Sequence, residues 1–234
     1  MTRIGMIVPP SAGHVPPEPP ELYPDLDFIA EGMALPRLTP EGYDSVIDRA
    51  AELAARLKER GAEAVSMMGT SLSFYRGPEG NAEVLAAMGG ATGLPVTTMT
   101  DSVLEALAAF GAQTVAVATA YTDAVNQPLK DYLAASDFQV AGLEALHLTG
   151  VAEIQATTEE QLLDLGARAI AAAPGAEALL ISCGGLKTIN VCPALEDRFG
   201  LPVISSATAG AWGAVRLTGH TGKSAGHGRL FELG

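Results

Sequence analysis

The chain has 234 residues, 48% of them hydrophobic and 18% charged, with a formal net charge of −13. That length buries a sizeable core, and the composition excludes a disordered chain. The acidic balance argues against nucleic acid or an anionic membrane as a partner. An anionic small molecule stays possible, because a few backbone N–H groups can hold a carboxylate inside an acidic protein.

The opening MTRIGMIVPP lacks the apolar run and small-residue cleavage site of a secretion signal. No stretch approaches the roughly 18 apolar residues that span a bilayer. Cys183 and Cys192 are too few for a disulfide framework. A reduced, cytoplasmic protein is expected, as a monomer or small homo-oligomer.

Taken in chain order, Ile4–Val8 reads as a strand that runs into a proline-rich loop, Pro9–Pro24. Helical spacing over Glu41–Arg60 leads to a strand at Ala64–Met68, a helix at Asn81–Thr92 and a strand at Val96–Thr98. A helix at Asp101–Phe110, a strand at Thr114–Ala118 and a helix at Asp123–Ala135 follow. Then come strand Phe138–Leu146, helix Glu159–Ala173, strand Ala178–Ser182, helix Lys187–Phe199, strand Val203–Ser205 and helix Ala209–Leu217. Such alternation predicts an α/β fold with mostly parallel sheet, and places functional groups in loops after the strand ends.

A weak internal repeat runs through this pattern. Thr92–Val96 (TGLPV) is echoed by Phe199–Val203 (FGLPV), and Ser66–Ser71 (SMMGTS) falls opposite Leu180–Gly185 (LISCGG). Ile4–Pro9 and Val115–Ala120 match as apolar strands entering a loop. The repeat is too long for a solenoid. It predicts two similar α/β halves facing each other across a cleft, although α/β units resemble one another even without duplication.

Three loops carry chemistry. Ser182-Cys183-Gly184-Gly185 follows a strand and precedes a predicted helix, whose N-terminal N–H groups suit a carboxylate or oxyanion. A thiol there can donate or accept a proton, or it can be a small buried hydrophobe. Met68-Gly69-Thr70-Ser71, at the mirror position, is a donor-rich turn or an ordinary one. Tyr121, after Thr119-Ala120, either points its hydroxyl into the cleft or packs in the core. Other motifs fail. Gly219–Ser224 (GHTGKS) lacks the earlier glycine of a phosphate loop, because position 217 is Leu217. His14, His147, His220 and His227 show no metal-ligand spacing. Cys192 sits inside a predicted helix and reads as packing.

Together these motifs resemble the aspartate/glutamate racemase superfamily and, within it, the arylmalonate decarboxylase family. The resemblance spans nearly the whole chain. It is carried by Ile4–Pro10 (IGMIVPP), Leu22–Leu26 (LYPDL), Thr39–Tyr43 (TPEGY), Met68–Gly77 (MGTSLSFYRG), Thr119–Tyr121, Ser182–Leu186 (SCGGL) and Gly228–Phe231 (GRLF). It implies two pseudo-symmetric halves with parallel four-stranded sheets, residues 1–98 with 207–234 and residues 99–206, and an active site between them. It further implies decarboxylation of an aryl- or alkenyl-substituted malonate, a small dicarboxylate, with no cofactor and no metal.

In that scheme Thr70, Ser71, Tyr121 and the backbone at Cys183 and Gly184 hold one carboxylate and the enediolate that forms from it. The second carboxylate faces an apolar pocket made by Pro9, Leu35, Leu38, Tyr43, Leu72, Val151 and Ile154. Cys183 delivers the proton. The offset that superposes Ser66–Ser71 on Leu180–Gly185 sets Gly69 opposite Cys183. A glycine moves no proton, so racemisation and maleate isomerisation, which use a thiol on each face, are expected to be disfavoured. A racemase, a maleate isomerase and a non-catalytic carboxylate-binding protein are the alternatives.

Overall fold

The computed structural model describes residues 1–233; Gly234, the end of the expected first half, lies outside the described residues. Four strands make the first sheet: β1 (Arg3–Val8), β2 (Asp27–Gly32), β3 (Ala64–Met67) and β4 (Val96–Thr98), in the order β2-β1-β3-β4. The second sheet uses β5 (Thr114–Thr119), β6 (Gln139–Ala145), β7 (Ala178–Ser182) and β8 (Val203–Ser205), in the order β6-β5-β7-β8. All neighbours are parallel, and the two orders correspond strand for strand. The central strands are apolar almost without interruption because both faces are covered by helices.

The repeat has a structural counterpart at its clearest sequence echo. Helix α5 (Gly77–Thr92) ends at Gly93 with φ 65°, and α10 (Val191–Phe199) ends at Gly200 with φ 74°. Both glycines take the left-handed conformation that closes a helix at little steric cost. The proline two residues on feeds each edge strand: Pro95 O accepts from Val65 N–H and Pro202 O from Leu179 N–H. After the strands, Thr98 caps α6 (Met99–Ala109) by accepting from Asp101 N–H at 3.2 Å. Ser205 caps α11 (Ser206–Arg216) by accepting from Thr208 N–H, also at 3.2 Å. Helices α6 and α11 pack on each other and join the halves, and ten successive residues of α11, Ser206–Val215, are buried.

The structure departs from the sequence expectations in several elements. β2 is an edge strand that the sequence did not signal, paired with β1 from Arg3↔Asp27 to Val8↔Gly32. Its one buried residue is Ala30, so it carries little apolar pattern. The single helix expected over Glu41–Arg60 is α2 (Pro40–Asp44), a 3-10 turn (Ile47–Arg49) and α3 (Ala50–Glu59), broken where Val46 leaves helical geometry at φ −130°. The proline-rich segment is not wholly a loop, since it contains α1 (Glu18–Leu22), with prolines in its first turn. Further short helices, α4 (Thr70–Phe74) and α8 (Val151–Gln155), stand among the expected helices α7 (Asp123–Ala135) and α9 (Glu159–Ala171).

Candidate active site

A cavity of about 440 Å³ opens at the carboxyl ends of β1, β3, β5 and β7, the two central strands of each sheet. Its size falls in the range of small-molecule sites. The first half contributes Val8–Pro10 after β1 and Met68–Ser71 after β3; the second contributes Tyr121 after β5 and Cys183–Gly185 after β7. The parallel register sets these exits level: Met68 N–H donates to Ile7 O at 2.8 Å, and Ala120 N–H donates to Ser182 O at 3.3 Å. Leu35, Leu38, Val151 and Ile154 form an apolar part of the wall with Pro9. Two amides hold it together, Leu35 N–H to Pro9 O at 2.8 Å and Leu38 N–H to Thr149 O at 3.2 Å across the halves.

Two expected pocket residues stand behind this wall. Leu72 is 2% exposed and lies against Gly69. Tyr43 is fully buried, its ring 4.9 Å from that of Tyr75, and its hydroxyl has no hydrogen-bond partner. Burial drives that phenol's pKa far up; the Ser71 hydroxyl opposes this from nearby without bonding geometry.

Thr70 and Ser71 open α4 directly. The first amide of that turn to bond back is Ser73 N–H, to Gly69 O at 3.2 Å, so those of Thr70, Ser71 and Leu72 have no intrahelical acceptor. Thr70 Oγ1–H donates to Met99 Sδ at 3.0 Å, a weak acceptor that a carboxylate oxygen outcompetes. Tyr121 is 1% exposed, and its hydroxyl accepts from Ser182 Oγ–H at 3.4 Å. Its loop is pinned by Asn126, whose Nδ2 donates to Tyr121 O at 3.1 Å while its Oδ1 accepts from Thr119 Oγ1–H at 2.7 Å. Burial first, then Cys183 and Tyr43, raise the Tyr121 pKa well above the ordinary value, so the hydroxyl keeps its proton to donate.

Cys183 is 6% exposed, and burial pushes its thiol up to about 11, against the smaller opposing effects of the Gly185 amide and the Tyr121 hydroxyl. The thiol is therefore protonated at neutral pH. Its backbone φ is 154°, in the half of conformational space that side chains with a Cβ rarely enter. Such strain persists where the surroundings enforce it, and it gathers at functional sites. The helix expected directly after Ser182–Gly185 starts only at Val191. The amides near the thiol thus belong to a turn, closed by Leu186 N–H donating to Cys183 O at 3.2 Å, and not to a helix end. Cys192 lies outside the cavity wall, buried beside Thr188, Ser205 and Thr208, its thiol raised to about 12 mainly by burial.

Several wall residues belong to none of the motifs that the sequence assigns to the site. Among them His14, Glu18 and Lys187 are titratable, and Glu18 is only 4% exposed. A carboxyl that deep was hidden by its surroundings, since PPEPPE reads as a surface loop; the prolines flanking it were the one sign of a helical first turn. Among the described residues no three His, Cys, Asp or Glu side chains are placed to hold a metal ion. No helix among them is long and apolar enough to cross a membrane.

Two like sheets that meet end-on at one cavity define a racemase-like α/β enzyme. The family model described as arylmalonate decarboxylase matches residues 4–231. An arylmalonate decarboxylase of Bordetella bronchiseptica is 51% identical over 230 residues, covering 98% of this chain and 96% of that protein. A crystal structure of a double mutant of arylmalonate decarboxylase in its liganded form superposes with a TM-score of 0.97 at 49% identity, covering 99% of both chains. A maleate isomerase of Nocardia farcinica is 29% identical over 243 residues, covering 98% of this chain and 95% of that one. The chain belongs to the arylmalonate decarboxylase family, and it is an enzyme with decarboxylase activity.

Proposed function

We propose that this enzyme removes one carboxylate from malonates bearing an aryl or alkenyl group on the α carbon, without a cofactor, and that Cys183 protonates the product on one face. The observation that carries the reading is the state of Cys183: a buried, protonated thiol in strained backbone at the wall of a cavity between two donor-rich turns.

One substrate carboxylate takes the hydroxyls of Thr70, Ser71 and Tyr121 and the amides at Thr70, Ser71, Cys183 and Gly184. The other lies against Pro9, Leu35, Leu38, Val151 and Ile154, where it is poorly solvated. The bond from the α carbon to that carboxylate breaks, CO2 leaves, and the electron pair passes into the retained carboxylate as an enediolate. Donors held in place for this charge stabilise it more than they stabilise the substrate; one such donor is worth about 3 kcal/mol. The Cys183 thiol then gives its proton to the α carbon, and the resulting thiolate, a strong base in this setting, recovers a proton from solvent. Tyr43 and Leu72 support the wall from behind.

Gly69 and Cys183 both line the cavity and fall at matching positions of the sequence repeat, which on this reading leaves the second face of the α carbon without a thiol. This favours one-sided protonation over racemisation or maleate isomerisation.

Incubating the purified chain with phenylmalonate tests the reading. CO2 release with a single enantiomer formed from an α-methyl-α-phenyl substrate is expected. Cys183→Ala is expected to lower turnover by roughly 10²- to 10⁴-fold while phenylacetate still binds. Full activity of that variant, or binding of phenylmalonate without turnover, overturns the proposal.

A further inference from the structure

The cavity wall holds a carboxyl that the proposed chemistry does not use. Glu18 begins α1, lines the cavity and is 4% exposed. Among the described residues no side chain pairs with its carboxyl, and burial holds its pKa above the ordinary carboxylate value, opposed by its own amide and by Lys187 and helped by Glu21. Lys187, exposed at the same wall, is near enough to act on Glu18 yet does not close an ion pair with it. His14 is the other titratable side chain lining this region, on the loop that precedes α1. A buried carboxyl without a partner is unfavourable unless a water or a ligand completes it.

The chemistry of the gap restricts what completes it. A second carboxylate on the ligand would suit Lys187 but meet Glu18. An ammonium would suit Glu18 but meet Lys187. A hydroxyl both donates and accepts, so it can donate to the Glu18 carboxyl while accepting from the Lys187 ammonium. The remaining lining near Glu18, Val15 to Pro17, is apolar and suits the ring or chain that carries such a hydroxyl.

We propose that Glu18 and Lys187 read the end of the substrate's α-substituent, and that the preferred substrates carry a hydroxyl there, as in a hydroxyphenyl malonate. This rests on the decarboxylase reading above for the rest of the substrate.

The test compares kcat/KM for phenylmalonate with that for its ortho-, meta- and para-hydroxyphenyl analogues, in the full chain and in Glu18→Leu, Glu18→Gln and Lys187→Met. Calorimetric Kd values for the corresponding phenylacetates, which have no carboxylate to lose, are measured alongside. One hydroxyl isomer is expected to exceed phenylmalonate by at least about tenfold, the ratio that about 1.4 kcal/mol carries. Glu18→Leu is expected to bring that ratio near one. Glu18→Gln, whose carbonyl still accepts, keeps part of it, and Lys187→Met lowers it from an exposed position where folding is not at risk. Equal rates for all four malonates in the unaltered chain, or a ratio preserved in Glu18→Leu and Lys187→Met, overturns the inference. If no malonate turns over, the decarboxylase reading falls. The phenylacetate affinities then decide the inference by themselves, through a hydroxyl preference that the Glu18 variants either lose or keep.

Discussion

The thiol of Cys183 should resist alkylation until strongly alkaline pH. With a pKa of about 11, roughly one molecule in a thousand carries the thiolate at pH 8, against about a quarter for a free cysteine near 8.5. That lowers the reactive fraction by a factor of roughly 250. The more basic thiolate is intrinsically more nucleophilic, and a Brønsted slope of about 0.45 over about 2.5 units returns roughly tenfold. Iodoacetamide should therefore modify Cys183 about 20-fold more slowly than glutathione at pH 8, before any steric shielding. The assay is the rate of mass gain at Cys183, followed by peptide mass spectrometry from pH 7 to 11. The logarithm of the rate should climb with a slope near one up to about pH 10 and flatten only near pH 11. A plateau reached below about pH 8.5 would mean an activated thiolate and would refute the role of a resting proton donor.

Three further outcomes follow from the geometry. Alkaline stability should fall between about pH 9 and 12, because the unfolded thiols ionise while folded Cys183 and Cys192 keep their protons. Each contributes up to about 1.4 kcal/mol per pH unit, so urea unfolding of Cys192→Ala should show a shallower decline than the parent chain; an identical slope would contradict the shift. In Gly32→Ala the new Cβ would sit 2.5 Å from the carbonyl oxygens of Pro10 and Ser11, and backbone cannot swing aside. A loss of about 1–3 kcal/mol, with a raised KM as the Pro9–Pro10 wall shifts, is expected from urea melts and kinetics, and unchanged values in both would refute the close approach. Tyr121→Phe removes one hydroxyl at constant packing; kcat should drop roughly 10²-fold with thermal stability nearly unaltered, whereas an undiminished kcat would remove Tyr121 from the enediolate site.

Much of this molecule was legible before its structure because buried parallel strands announce themselves. Ala178–Ser182 is apolar up to its last residue and buried throughout, and the sequence placed its ends correctly. Asp27–Gly32 shows the opposite case. Its edge position leaves both faces half-covered, Asp27 and Glu31 interrupt the apolar pattern, and the pairing that makes it a strand is with Arg3–Val8, far back in the chain. The helix expected from Lys187 begins only at Val191. Thr188, Ile189 and Asn190 are weak helix formers, and Thr188 is drawn into a buried hydroxyl pair with Ser205 at 2.6 Å. In the site, the family motifs put Cys183, Thr70, Ser71, Tyr121 and Gly184 around one cavity. Motif reading did not separate a wall from what stands behind it, hence Tyr43 and Leu72. Nor did it reach Glu18, whose burial comes from a five-residue helix too short to show a period.

The backbone at Cys183 sets two engineering goals against each other. At φ 154° a glycine would be more comfortable than any residue with a side chain, by an amount on the order of 1–3 kcal/mol. On the proposed mechanism, a heat-challenge screen of random variants that ignores turnover would favour Cys183→Gly and discard the proton donor. Selection for robustness would, on that reading, hold position 183 fixed and look for its gains elsewhere.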